Sequence, residues 1–144
     1  EVLDGRQKDG FTYPVVIYDH RDGVAISGGF AYNGPIAALG GKFVFGDIQR
    51  GRVFVADLAA MKKADDGIPQ IVAPVEEVQI YVRDARGNRV YTSFRELVER
   101  SRGATMTRAD LHLSIGRNGE LFLTSRQDGV IRMLVPEAGG TASR

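Results

Sequence analysis

The sequence predicts an all-β chain: a partial β-propeller of about two four-stranded antiparallel blades with one short inserted helix. Three observations predict it. Short β-branched and aromatic runs alternate with glycine-rich turns, one hairpin pattern occurs twice, and a single helix signal lies between the copies. Gly41-Lys-Phe-Val-Phe-Gly-Asp-Ile-Gln-Arg-Gly51 overlays Gly119-Glu-Leu-Phe-Leu-Thr-Ser-Arg-Gln-Asp-Gly129, with Gln49 falling on Gln127. In both copies an apolar strand follows the first glycine and a second follows the last. Two copies of a hairpin imply two copies of a sheet, and sheets repeated radially make a propeller. The copies are 78 residues apart, against ~40–50 for common blades. The excess is assigned to a hairpin and helix inserted between Ala59 and Gly103. Two blades cannot close a ring that needs ~4–8, and alone they would leave open sheet edges. The sequence therefore predicts a piece of a larger protein.

The elements follow in order. Residues 1–12 are polar and glycine-rich and read as a connecting segment. Tyr13–Asp19 is β-branched and aromatic, a strand with Pro14 at its start where a missing N–H is tolerated. Val24–Tyr32 is a strand interrupted by Gly28-Gly29, the mark of a bulge or a close backbone approach. Lys42–Ile48 and Arg52–Leu58 form the first hairpin, and unbroken Phe43-Val44-Phe45 predicts cover on both faces. Ala59–Pro74 reads as a looser stretch. Val78–Val82 and Arg89–Thr92 form a second hairpin. Ser93 with Glu96 three residues on is a capping box, and Phe94, Leu97 and Val98 share one face of a helix that ends before Gly103. That helix, over about 93–101, reads as decoration on the sheets. Strands resume at Asp110–Ile115, Glu120–Ser125 and Val130–Val135. The propeller part thus covers 13–135, with blades at about 13–92 and 104–135, and 136–144 is a frayed tail.

Composition narrows the function classes. The 144 residues carry 43% hydrophobic and 26% charged side chains and a net charge of +1 with the signs mixed, the balance of a folded domain without the basic stripe of a nucleic-acid surface. No apolar run approaches the ~20 residues of a membrane span. Without cysteine, disulfides and thiolate metal sites are excluded. Gly28-Gly29 is no dinucleotide fingerprint, and no Gly-x-Ser-x-Gly elbow occurs. Asp19, Asp22 and Asp47 are metal ligands by type, but no EF-hand spacing or carboxylate cluster supports a site, and turn-forming aspartate is the default. His20, beside the Arg21-Asp22-Gly23 turn, is a proton acceptor by type and a structural turn histidine by position. His112 lies opposite the apolar face of its strand.

From Tyr13 onward the order of phrases resembles the C-terminal blades of the quinoprotein glucose/sorbosone dehydrogenases. The phrases are Tyr13-Pro14-Val15, Tyr18-Asp19-His20, Ile26-Ser-Gly-Gly-Phe-Ala-Tyr-Asn-Gly34, Leu39-Gly-Gly-Lys-Phe-Val-Phe-Gly-Asp47, Gly51-Arg-Val-Phe54, Gly119-Glu-Leu-Phe-Leu123 and Asp128-Gly-Val-Ile131. The resemblance implies a six-bladed propeller that oxidises a sugar with pyrroloquinoline quinone (PQQ), aided by calcium. It also implies a periplasmic or secreted oxidoreductase. The catalytic histidine and main calcium ligands would sit in earlier blades, so no catalytic or metal residue is assigned here, and this chain alone would be inactive. Its partners would be the remaining blades, the sugar and an electron acceptor.

The last blades of that family contribute basic cofactor ligands, and three residues here match them. A Lys-Arg-Gly of the family falls on Gln49-Arg50-Gly51, so glutamine stands at the lysine position. An Arg-x-Arg falls on Arg108-Ala109-Asp110, without its second arginine. Arg108, Arg50 and Gln49 are therefore the candidate cofactor-side residues, since a tricarboxylate cofactor calls for cationic partners. The plain alternatives are a solvated arginine ahead of a strand for Arg108, and turn residues for Arg50 and Gln49. The two departures favour a rival function, a non-catalytic propeller serving as a binding module in the same superfamily.

Overall fold

The computed structural model describes residues 12–67 and 71–136. Most of the predicted connecting segment and tail therefore lie outside the described residues. The described chain is mostly sheet with two short α-helices, in three antiparallel sheets, none of which closes on itself. The first sheet runs β1 (Ile26–Ala31), β2 (Lys42–Asp47), β3 (Val53–Asp57), β4 (Val75–Glu77). A two-stranded ribbon pairs β5 (Ile80–Arg83) with β6 (Arg89–Thr92), and a third sheet runs β7 (Leu111–Ile115), β8 (Leu121–Ser125), β9 (Ile131–Leu134).

The repeated hairpin is β2–β3 in one sheet and β8–β9 in another. The two turns close identically: Gly51 N donates to Asp47 O at 3.0 Å, and Gly129 N to Ser125 O at 3.0 Å. Each final glycine lies in the left-handed region, with φ +74° at Gly51 and +68° at Gly129, a conformation that only glycine takes without strain. The expected bulge is also present. Pairing of β1 on β2 slips between Ile26 and Gly29, around Gly28 at φ +107°.

Alternation along paired strands gives each sheet two faces. In the first sheet Val44 and Gly46 of β2 share a face with Val53 and Val55 of β3; Phe43, Phe45 and Asp47 lie opposite. A Cβ at Gly46 would meet Leu111 and Leu113 at 3.0 and 3.3 Å, so β7 packs close over the Val44–Gly46 face. Leu111 and Leu113 share their face with Leu121, Leu123 and Ser125. Those three residues of β8 are the repeat counterparts of Phe43, Phe45 and Asp47. Opposite faces of the repeat therefore meet: the third sheet lays its Phe43-type face on the Val44-type face of the first. Val44, Val53, Val55, Leu111, Leu121 and Leu123 form one core there, with Tyr32, Phe94, Val98 and Met106.

Several expectations need correction. Tyr13–Asp19 is no strand. It runs as irregular chain over the outer face of the first sheet, where Ala73 N donates to Val15 O and Tyr18 stacks on Phe54 at 5.6 Å. The loose stretch contains a helix, α1 (Leu58–Ala64), which Asp57 caps by accepting from Ala60 N. The predicted helix is α2 (Phe94–Arg102), with its full capping box and Gly103 left-handed at the C-terminus. It is no decoration, because Phe94 and Val98 are completely buried. Among the described residues the third sheet has three strands rather than the expected four, and β5–β6 stands apart from the first sheet.

Candidate functional site at the hairpin turns

The two candidate ligand segments lie side by side. Ala109 N donates to Gln49 O at 2.7 Å and Leu111 N to Ile48 O at 3.1 Å, so the chain entering β7 is stitched along the β2–β3 turn. Contact there is tight. A Cβ at Gly51 would come within 2.8 Å of Ala109 Cβ and 3.2 Å of the Phe94 ring. Gly51→Ala therefore combines left-handed strain with a clash, and we expect it to cost about 1–3 kcal/mol. Gly129→Ala meets no atom within 4 Å and should cost the lower end of that range, about 1 kcal/mol. Thermal unfolding of the two variants checks the difference.

Arg50 is engaged within the fold. Its guanidinium donates to the carbonyls of Arg21 at 2.5 Å and His20 at 2.8 Å, tying the residue 20–22 turn to the hairpin. Its backbone N–H donates to Asp47 Oδ1 at 2.5 Å. Asp47 is fully buried and also accepts from Val24 N and, at 3.0 Å, from Ala25 N. Burial alone would raise this carboxyl, but backbone N–H groups of Arg50, Val24, Ala25 and Gln49 hold it below the usual carboxylate range. His20 is exposed and contributes its carbonyl to this knot, and His112 is exposed on β7. Asp19 is occupied by Arg21.

Arg108 faces a second buried carboxylate that sequence reasoning passed over. Asp110, which stands where the family pattern has its second arginine, is almost fully buried at φ +49°. Among the described residues no other non-glycine has a positive φ. Arg108 Nε lies 2.5 Å from its Oδ1, while Arg126 Nε at 2.8 Å and Gln127 Nε2 at 2.7 Å reach Oδ2. Gln127 Oε1 in turn accepts from Arg102 at 3.0 Å. Burial raises the Asp110 carboxyl, and Arg126, Gln127 and Arg108 outweigh it and pull it below its ordinary value. Aspartate tolerates left-handed backbone better than most residues, the one sequence-level signal that could have marked this position.

The site is thus an edge with two buried carboxylates, Asp47 held by backbone N–H groups and Asp110 by guanidinium groups. Arg108 and Arg126 remain partly or largely exposed beyond their contacts with Asp110, so each keeps N–H groups for an anionic ligand. Gln49 is half-buried beside them. Among the described residues no group of three or more His, Asp or Glu is placed to hold a metal ion, and no helix is long and apolar enough to cross a membrane. Comparison with protein-family models, with curated proteins and with solved structures gives no match.

Proposed function

We propose that the chain supplies two successive blades of a β-propeller and that the Gln49–Arg50–Arg108 edge lies on the cofactor side of a PQQ-dependent sugar dehydrogenase. The observation that carries the propeller reading is the sense of stacking. Opposite faces of one repeat meet, so the contact is head-to-tail, and a head-to-tail contact generates a ring when its rotation closes. The adjacency of Gln49 and Ala109 supports placing Arg50 and Arg108 on one edge of that ring.

The residues fit the quinone unequally. Arg108 suits a carboxylate of the cofactor, whereas Arg50 already serves two backbone carbonyls. Calcium has no matching ligand set among the described residues, and no step is assigned through it. When bound, the quinone would supply the two-electron oxidising power. Arg108 would orient it, and the base would come from other blades. The engagement of Arg50 favours a second reading, a propeller of this type that has no cofactor and acts as a binding module.

Titration of PQQ into the longest available form of the protein, with and without Ca²⁺, decides between them. In the enzyme reading the quinone binds and Arg108→Ala weakens it by about 1.5–3 kcal/mol, the scale of a charged hydrogen bond. Absence of binding, or equal affinity in Arg108→Ala, would remove the quinone from this edge. Gln49→Lys restores the cation of the family pattern and should strengthen binding if the site is real.

A further inference from the structure

A cleft of about 460 Å³ opens between α2, the loop that follows it and the turn of the second hairpin, lined by Arg95, Arg102, Thr105, Met106, Thr107 and Gln127. Among the described residues no acidic side chain lines it. The loop is pinned at three places. Gly103 N and Ala104 N donate to Glu99 O at 2.9 and 3.3 Å, Met106 N donates to Glu99 Oε1 at 3.1 Å, and Ala109 N joins the first hairpin turn at Gln49 O. The Met106 side chain is buried in the core. Arg95 and Arg102 stand seven residues apart, two turns along one face of α2.

Both guanidinium groups are aimed by contacts that leave N–H groups over. Arg95 donates through Nε to Glu99 at 3.0 Å and through Nη2 to Met106 O. Arg102 donates through Nη1 to Gln127 Oε1 at 3.0 Å, and Gln127 is itself held by Asp110 at 2.7 Å. A guanidinium carries five donors, so each arginine keeps some beyond these contacts. Charge is unbalanced here. Arg95, Arg102, Arg108 and Arg126 are matched by Glu99 and Asp110, two carboxylates for four cations. Asp128, next to Gln127, is answered by Arg132 at 2.5 Å.

We infer that this cleft binds a small phosphate ester, its phosphate group gripped by Arg95 and Arg102 with the Thr105 and Thr107 hydroxyls. A carboxylate is satisfied by one arginine fork, whereas a phosphate group offers three oxygens that meet donors from several directions. Two guanidinium groups from the start and end of a helix, and two hydroxyls from a pinned loop, supply such donors. The preformed loop lowers the cost of ordering the site around the ligand. The volume is that of a small-molecule site, with space for the esterified group beside the phosphate. None of the lining residues is a quinone candidate. Absence of PQQ binding would leave this inference standing, and its own failure would leave the quinone edge untouched.

The test titrates the full 144-residue chain with inorganic phosphate, phenyl phosphate, phenyl sulfate and benzoate at constant ionic strength. Binding is followed by NMR at backbone amides and arginine Nε–H groups. The expected result is saturable binding of both phosphates, with shifts centred on Arg95, Arg102, Thr105, Thr107 and Gln127. Phenyl phosphate should bind at least about tenfold tighter than benzoate, or about 1.4 kcal/mol, and tighter than phenyl sulfate, which carries less charge. Arg102→Ala should weaken phosphate by about tenfold or more, the scale of a lost charged hydrogen bond. Arg102→Lys keeps the charge without the fork and should fall between the two. Arg100→Ala removes the same charge from the same helical turn outside the cleft, and should change affinity by less than about twofold. Four outcomes would overturn the inference: no saturable phosphate binding, benzoate as tight as phenyl phosphate, phenyl sulfate as tight as phenyl phosphate, or equal losses in Arg102→Ala and Arg100→Ala.

Discussion

Replacing Asp47 by alanine is expected to lower stability by about 3–5 kcal/mol, because it strands several buried donors at once. The carboxylate accepts from the backbone N–H groups of Val24, Ala25 and Arg50, which enter from two separate chain segments. Asp47→Asn keeps one oxygen but sets an amide against the remaining donors, so it should recover only part of the loss. The repeat supplies an internal control. Ser125 occupies the equivalent turn, where its hydroxyl donates to Ala109 O at 2.7 Å and accepts from Gln127 N at 3.0 Å. Those bonds are neutral, and Ser125→Ala should cost only about 1–2 kcal/mol. Urea unfolding of the three variants at neutral pH gives the comparison, and equal losses at the two positions would contradict it.

The same carboxylate sets an acid limit. Its folded-state pKa is depressed, so its contribution is complete above the ordinary aspartate pKa of about 3.9 and is lost as pH falls through the lower folded value. Asp110 shifts in the same direction and adds to the loss over the same window. Stability of the native chain should therefore fall below about pH 4, and Asp47→Ala should flatten that dependence. A steeper acid limb in the variant would refute the assignment.

What could be read from the residues was whatever is local. Gly51 and Gly129 mark left-handed turn ends by their spacing, and Ser93 with Glu96 marks a helix start, because each motif closes within a few residues. The helix α1 had a legible signal in Asp57 ahead of Leu-Ala-Ala-Met-Lys-Lys-Ala, all strong helix formers apart from the cap. That stretch lacks a clear apolar stripe, so the cap and the helix formers are its whole signal. Tyr13–Asp19 has strand composition, yet composition does not say whether a neighbouring backbone is available to pair. There the apolar residues are used as cover over Phe54. The candidate site divides in the same way. Adjacency of the Gln49 and Arg108 segments follows from where β7 packs, and the arginine partners of each candidate were not legible at all. Asp47 and Asp110 look like turn residues in sequence. Asp47 becomes a buried charge where the segment through Val24 and Ala25 lies over it, and Asp110 where Arg108, Arg126 and Gln127 gather at the entry to β7.

Phe94→Ala is the second change expected to carry a large penalty, about 3–5 kcal/mol. The ring is wholly buried at the start of α2, in the core that joins the first and third sheets. A Cβ at Gly51 would come within 3.2 Å of the ring, and Arg132 places its guanidinium 5.7 Å from the ring centroid. Arg132 is held over it by Asp128 at 2.5 Å and by Leu97 O at 3.3 Å. The ring therefore touches both copies of the repeated hairpin, the first through its terminal glycine and the second through β9. A helix that merely decorated the sheets could lose such a side chain for under about 1 kcal/mol, as surface substitutions do. The partly buried Leu97, one turn along and at the margin of the same core, is the reference, and Leu97→Ala should cost less than Phe94→Ala. Because Gly51 rests on the same ring, Phe94→Ala should also relieve part of the Gly51→Ala clash. The double variant is then expected to be less destabilised than the sum of the singles by at least about 0.5 kcal/mol. Strict additivity in that cycle would mean that α2 and the hairpin turn are energetically separate, and the helix would then be removable without disturbing the edge on which Arg50 and Arg108 sit.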